Sequence, residues 1–516
     1  MPPLHGASLR ILLAGAAVAH LSSSPVARAS PCAPPAPLRL RAFASYSASE
    51  PPPPPPPPPP SSPSRVLASA GAACDCEPGA KPAICTADEL HYAPVPGSDW
   101  RIALWRYRPP PEAPKRNHPL MLLSGVATNA VGFDLSPGAS FARHMSMQGF
   151  DTWIVEVRGA GLSTRGSELA AASTKSDLSP NSELHPDDSL TTSIEEVADK
   201  ILGLMEFPQT SAIYDQISQL SQRLVKILGE GQQNVSPRLF GWQERLSATI
   251  EDLQKQLELI ISYDWDFDHY LEEDVPAAID YIKQQSVTKD GKLLAIGHSM
   301  GGILLYAMIS KCAFEGADPE LAAIVTLASS VDYTTSNSSL KLLVPLADPA
   351  EMLRVPAIPL GTLLSSTYPI SSRAPYILSL LRSQISAKDM MDPELLSKLI
   401  LNNFCTVPAK VLLQLTTAFR DGGLRNRAGT FFFKEHLRKI KVPVLALAGD
   451  EDLICPPEAV YETVKLIPQH LVTYKVFGKP EGPHYAHYDL VGGRKALHEV
   501  YPCIIEFLSQ HDEVSS

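Results

Sequence analysis

Four apolar residues, Leu293-Leu294-Ala295-Ile296, run straight into Gly297-His298-Ser299-Met300-Gly301, and a second apolar run, 303–309, begins two residues later. A G-x-S-x-G pentapeptide between a strand and a helix forces a turn so tight that its serine takes strained backbone geometry. A side chain at Gly297 or Gly301 would collide with the adjoining strand or helix, so both positions call for glycine. The turn holds the Ser299 hydroxyl at the tip of the sheet. The helix that starts there points amide hydrogens and its positive dipole end at developing negative charge. A glycine-rich turn with an incidental serine would match the same five residues, and the rest of the chain separates the two readings.

An activated serine needs an acid and a histidine, and in this strand–turn–helix setting they follow the serine in the chain. The apolar stretch 442–448 reads as a short buried strand, and Gly449-Asp450-Glu451-Asp452 ends it. Asp452 lies far enough past the glycine for the loop to turn back toward a histidine; Asp450 is the alternative. Residues 482–490 then supply two histidines, His484 and His487. His487 stands just before Leu490-Val491-Gly492-Gly493 and an amphipathic final helix over 496–508, which favours it as the base. His484 reads as a loop histidine with local hydrogen bonds. Imidazole suits the task because its near-neutral pKa lets it take the Ser299 proton and return it to a leaving group. Asp452 would fix the tautomer and stabilise the imidazolium. One oxyanion donor is the amide of Met300. The other is expected in the loop Ser124-Gly125-Val126-Ala127-Thr128 after the strand at 119–123, with the Val126 N–H as candidate.

With these pieces located, the chain resembles the α/β-hydrolase superfamily and, within it, the acid-lipase branch. It looks closest to plant chloroplast α/β-hydrolase proteins carrying a long helical insertion. Gly149-Phe150-Asp151-Thr152-Trp153 and the turn Arg158-Gly159-Ala160-Gly161-Leu162-Ser163 carry the likeness early in the chain. Asp266-Phe267-Asp268 and 273–280 carry it before the elbow, and Ala486-His487-Tyr488-Asp489-Leu490 carries it near the end. The resemblance covers about residues 90–165 and 263–510 and implies triad roles for Ser299, Asp452 and His487. The chain departs from acid lipases in having Ser124 where a histidine is usual and Met300 where they have glutamine. The implied fold class is α/β: a mostly parallel sheet with helices on both faces, plus a helical-hairpin insertion and a helical cap.

The chain is 516 residues long, enough for a large core with additions, and carries a net charge of −11. That charge argues against a nucleic-acid partner, which needs a basic face. The first acidic residue is Glu50, and Arg10, Arg28, Arg39 and Arg41 precede it among serines and alanines. Such a start reads as a transit peptide, with the chloroplast favoured and the mitochondrion or the secretory pathway as alternatives. Ten prolines at 51–60 form an extended spacer, so 1–64 is expected outside the fold. Of eight cysteines, Cys74, Cys76 and Cys85 cluster in the segment 65–95. They fit a disulfide or redox clamp, or incidental loop cysteines, and fall short of a zinc signature.

The expected core falls into three parts, 96–165, 263–333 and 436–511, interrupted by two insertions. Strands alternating with helices predict the parallel sheet. Trp100–Tyr107 alternates like a half-exposed strand. In the first insertion, 166–262, Ile213, Ile217, Leu220, Leu224 and Ile227 repeat at 4-3-4-3 spacing. Leu246, Ile250, Leu253, Leu257 and Ile260 do the same. The pattern predicts an antiparallel helical hairpin that packs on the core or docks a membrane surface or protein through 190–262. The second insertion, 334–435, is cap-like, with apolar segments at 360–364, 377–381 and 411–415. Its prolines, Pro345, Pro349, Pro356, Pro359, Pro369 and Pro375, cut it into short helices. The expected activity is hydrolysis of carboxylic esters with a lipid or other hydrophobic acyl part, needing no metal or cofactor. An acyltransferase using the same acyl-enzyme and a non-catalytic binding protein on the same fold stay open.

Overall fold

The computed structural model describes residues 82–166, 263–286, 288–341, 357–360 and 378–513. Residues 1–64, Cys74, Cys76, the expected hairpin segment 190–262 and the apolar segment 361–364 lie outside the described residues.

Among the described residues, nine strands form one sheet in the order β1-β2-β4-β3-β6-β7-β10-β11, with β5 paired to β2. These are β1 (Glu89–Pro94), β2 (Trp100–Tyr107), β3 (Leu120–Leu123), β4 (Thr152–Glu156), β5 (Thr164–Arg165), β6 (Leu293–His298), β7 (Leu321–Leu327), β10 (Val444–Gly449) and β11 (Val472–Phe477). From β4 to β11 all neighbours are parallel; β1, β2 and β5 are antiparallel additions at one edge. Every residue of β3, β4, β6 and β10 is buried. Continuous apolar runs of this kind suit strands covered on both faces. β11 is half-buried or exposed at every position but Phe477, as an edge strand should be.

Helices α1 (Phe141–Met147), α2 (Val275–Gln285), α3 (Met300–Glu315), α4 (Leu378–Ile385), α5 (Pro393–Asn402), α6 (Ala409–Thr416), α7 (Pro457–Val464) and α8 (Ala496–Gln510) complete the main elements. α3 is apolar on nearly all sides because it runs through the interior, directly after the central strand β6. It stops at Gly316, whose φ of 73° gives the left-handed cap that glycine adopts without strain.

Three expectations need correcting. β2 is not half-exposed: six of its eight residues are buried, and only Arg101 is exposed. Arg106 is tolerated inside because it pairs with Asp151 at 2.7 Å and its guanidinium lies 4.6 Å from the Trp153 ring. The core also begins before the expected boundary at 96, in keeping with 89–108 reading in the sequence as opening strands. β1 pairs along its whole length with β2, and Cys85 is a buried thiol whose pKa burial, aided by Asp134 and Glu156, pushes up to about 12. Finally, the 334–435 insertion is not purely helical. β8 (Ala357–Pro359) and β9 (Thr406–Pro408) pair antiparallel, so Pro359 ends a strand rather than breaking a helix.

The turn at 158–163 is tied to the entry of α2 by a buried ion pair. The Arg158 guanidinium donates to Asp274 Oδ1 at 2.6 and 2.8 Å and to Glu273 Oε2 at 2.5 Å, and the Arg158 N–H donates to Asp274 Oδ2 at 2.8 Å. This pair joins two segments far apart in sequence beside the central strands.

Candidate active site

Ser299 follows the last residue of β6 and precedes α3, with φ 54° and ψ −120°. A non-glycine residue in that region costs roughly 1–3 kcal/mol, so the surrounding structure must impose it. It does so from both sides. The Ser299 N–H donates to the Leu327 carbonyl at 2.9 Å, and the Ser299 carbonyl accepts from Gly302 N–H, Ile303 N–H and Ser329 Oγ. The glycines answer to close packing: a Cβ at Gly297 would overlap the Gly301–Gly302 backbone, and one at Gly301 would overlap the Leu123 carbonyl at the end of β3.

The loop after β3 lies against the serine. A Cβ at Gly125 would sit 3.3 Å from Ser299 Cβ and 3.7 Å from its Oγ. Ala127 has φ 53°, a second positive value beside the first, and Thr128 Oγ1 donates back to the Gly125 carbonyl at 2.9 Å. Among the described residues the Val126 N–H meets no backbone acceptor. Met300, the first residue of α3, has one of the amides that no carbonyl within its helix can reach. The two predicted donors thus stand on a loop and a helix start that meet at Ser299.

Asp452 and His487 come from the loops that leave β10 and β11. Their side chains are 0% and 4% exposed, and His487 Nδ1 lies 2.8 Å from Asp452 Oδ2. Asp452 Oδ1 accepts from the Ile454 and Cys455 amides at 2.9 and 2.8 Å, so both carboxylate oxygens are satisfied while it faces the imidazole. Gly449 ends β10 where the Tyr485 carbonyl passes; a Cβ there would overlap it. This close approach seats the histidine loop beside the acid loop.

The alternatives Asp450 and His484 find each other instead, at 2.6 Å, with His484 Nδ1 the hydrogen-bonding atom. The hydrogen bond to Asp450 raises the His484 pKa, and the pair stands near solvent, with His484 37% exposed. His298 is fully buried. Its Nε2–H donates to the His487 carbonyl at 2.9 Å, and its ring lies 4.8 Å from the His487 ring. Burial, reinforced by the neighbouring His487 charge, pulls its pKa down to about 3, so it stays neutral.

Sequence reasoning gave no role to two buried side chains that hold the histidine loop, Tyr488 and Asp489. Tyr488 OH accepts from Asn403 Nδ2 at 2.9 Å. Asp489 accepts from Ser386 Oγ at 2.6 Å, the Ala387 amide at 2.7 Å and the Ala486 amide at 2.8 Å. Burial raises the Asp489 pKa to about 6 against the pull of those three donors. Apart from the local Ala486 amide, their partners are 85–103 residues away in the β7–β10 connection, so local sequence gave no signal for them.

The sequence matches the family described as having the alpha/beta hydrolase fold over residues 118–489, and the chain belongs to that family. Among solved structures it is similar to a membrane phospholipase A described as a novel bacterial virulence factor. The identity is 12% over 83% of this chain and 87% of that chain, with a TM-score of 0.40. It is similar also to a monoglyceride lipase from Saccharomyces cerevisiae, at 14% identity over 85% and 100%, TM-score 0.41. A third is a thermophilic esterase from Thermogutta terrifontis, at 13% identity over 82% and 100%, TM-score 0.37. No curated protein matches the chain.

Proposed function

We propose that this protein is a serine hydrolase of carboxylic esters with a hydrophobic acyl part. Ser299 Oγ attacks the ester carbonyl while His487 Nε2 takes its proton. The Met300 and Val126 amides hold the oxyanion, each contributing roughly 3–4 kcal/mol in the transition state. Asp452 keeps the proton on Nδ1 and stabilises the imidazolium. Collapse of the intermediate breaks the ester C–O bond, and the departing alcohol takes the proton from His487. Water, deprotonated by the same imidazole, then releases the acid and restores Ser299.

The observation that carries this reading is the buried His487–Asp452 hydrogen bond on the loops that flank a serine held at positive φ. The hydrophobic substrate class rests on the apolar make-up of the β7–β10 connection, whose Leu395, Leu412, Leu415 and Phe419 are partly buried against the core. The test is labelling of purified protein with a fluorophosphonate, beside Ser299→Ala. Labelling of the wild type alone, with ester hydrolysis lowered about 10³-fold or more in the variant, is the expected result. Equal labelling or equal hydrolysis in Ser299→Ala overturns it.

A further inference from the structure

The loop that carries His487 is held chiefly by residues outside the triad. Its backbone closes on itself: the Asp489 side chain accepts from the Ala486 N–H at 2.8 Å, and the Asp489 N–H donates to the Ala486 carbonyl at 3.1 Å. His487 sits inside that four-residue ring. The outer side of the ring is bound to the connection between β7 and β10. Tyr488 N–H donates to the Ile385 carbonyl at 2.8 Å, and Ser386 Oγ and the Ala387 N–H donate to the Asp489 carboxylate. Asp489 is 0% exposed, and among the described residues no lysine, arginine or histidine forms an ion pair with it. A buried carboxylate without a counter-ion is expensive, so three converging donors are the condition on which it stays there.

The same connection also grips the other half of the site. Cys405 N–H donates to the Ala127 carbonyl at 2.7 Å, Asn129 N–H donates to the Asn403 carbonyl at 3.0 Å, and Thr128 bridges Phe404. One segment therefore fixes the loop of the candidate base and the loop of the candidate oxyanion donor together.

We propose that Asp489 is a positioning residue that fastens the His487 loop to residues 385–387, so that docking of the β7–β10 connection sets how fast Ser299 is activated. The proposal rests on the reading of Ser299, Asp452 and His487 as nucleophile, orienter and base. An asparagine at 489 can keep the geometry: its oxygen accepts from the Ala387 and Ala486 amides, and its NH₂ donates to Ser386 Oγ. An alanine keeps none of it. Both variants remove the negative charge, so a difference between them reports on the hydrogen-bonding side chain and not on its charge.

The test is the rate of fluorophosphonate labelling of the full chain across pH 5–9, for wild type, Asp489→Asn, Asp489→Ala and Ser386→Ala. That rate requires an aligned base and no knowledge of the natural ester. On the alkaline plateau, Asp489→Ala is expected to react roughly 10- to 100-fold more slowly, the cost of an ångström-scale misplacement, and Asp489→Asn within about threefold of wild type. A wild-type plateau rate in folded Asp489→Ala overturns the proposal, as does an equal loss in Asp489→Asn. Should Asp489→Ala fail to fold, Ser386→Ala decides: it removes one donor and is expected to slow labelling about threefold, and an unchanged rate overturns the proposal. Failure of the wild type itself to label would sink the hydrolase reading instead, so the two failures are distinct.

Discussion

At the scale of single residues, the site was legible wherever chemistry and backbone geometry demand one residue type. Gly297 and Gly301 could be read as obligatory, and the packing around them gives the reason: each faces backbone that no side chain could displace. The choice between two acids and two histidines was harder, since spacing favours Asp452 and His487 yet leaves Asp450 and His484 open. Burial separates them. Both pairs are hydrogen-bonded, but only Asp452 and His487 are shut away from water, where a carboxylate can hold and stabilise an imidazolium. The expected outcome of substitution follows. His487→Gln lowers fluorophosphonate labelling and ester hydrolysis by about 10³-fold or more. His484→Gln, at a half-buried pair, leaves both within about twofold and changes stability by less than about 0.5 kcal/mol. Matching losses in the two variants would show that this second pair takes part.

At the scale of elements, the strands of the parallel region were legible because strands covered on both faces are written as unbroken apolar runs. β2 misled because its charged residues mimic the alternation of a half-exposed strand. Arg106 is charged yet inside, neutralised by Asp151, and periodicity cannot distinguish that from exposure. The same limit hid the link between Arg158 and Asp274, whose side chains are 4% and 0% exposed. Replacing Arg158 by methionine leaves the Asp274 carboxylate buried and uncompensated, and is expected to lower unfolding stability by about 3–5 kcal/mol. Adding Asp274→Leu to Arg158→Met should recover part of that loss, since the remaining penalty is an unpaired Arg158 amide. Urea unfolding of the single and double variants measures both. A single variant within about 0.5 kcal/mol of wild type would mean that the carboxylate finds water or another partner.

At the scale of the whole molecule, sequence order does not reveal which distant segments close the fold. The clearest case is His118, at the start of β3 and fully enclosed. Its Nδ1 lies 3.0 Å from Asp512 Oδ1, beyond α8, and its Nε2 lies 3.1 Å from Asp290 Oδ1, before β6. The Asn117 and His118 amides add three hydrogen bonds of 3.0 Å to the Asp512 carboxylate. Partners 394 and 172 residues away leave no local trace. Burial by itself disfavours the charged ring, but the hydrogen bonds to Asp512 and Asp290, with their charges, outweigh it and raise the His118 pKa. A raised pKa means that the folded state binds the proton more tightly than the unfolded chain. The stabilisation is therefore complete below the unfolded histidine value, about 6.5, and is lost as pH rises through the folded value. His118→Gln keeps hydrogen-bonding capacity without the charge. The melting temperature of the wild type should exceed that of the variant most at pH 6, and the gap should narrow steadily toward pH 9. A gap constant across that range would show that His118 stays neutral in the fold, holding the chain's distant segments by geometry alone.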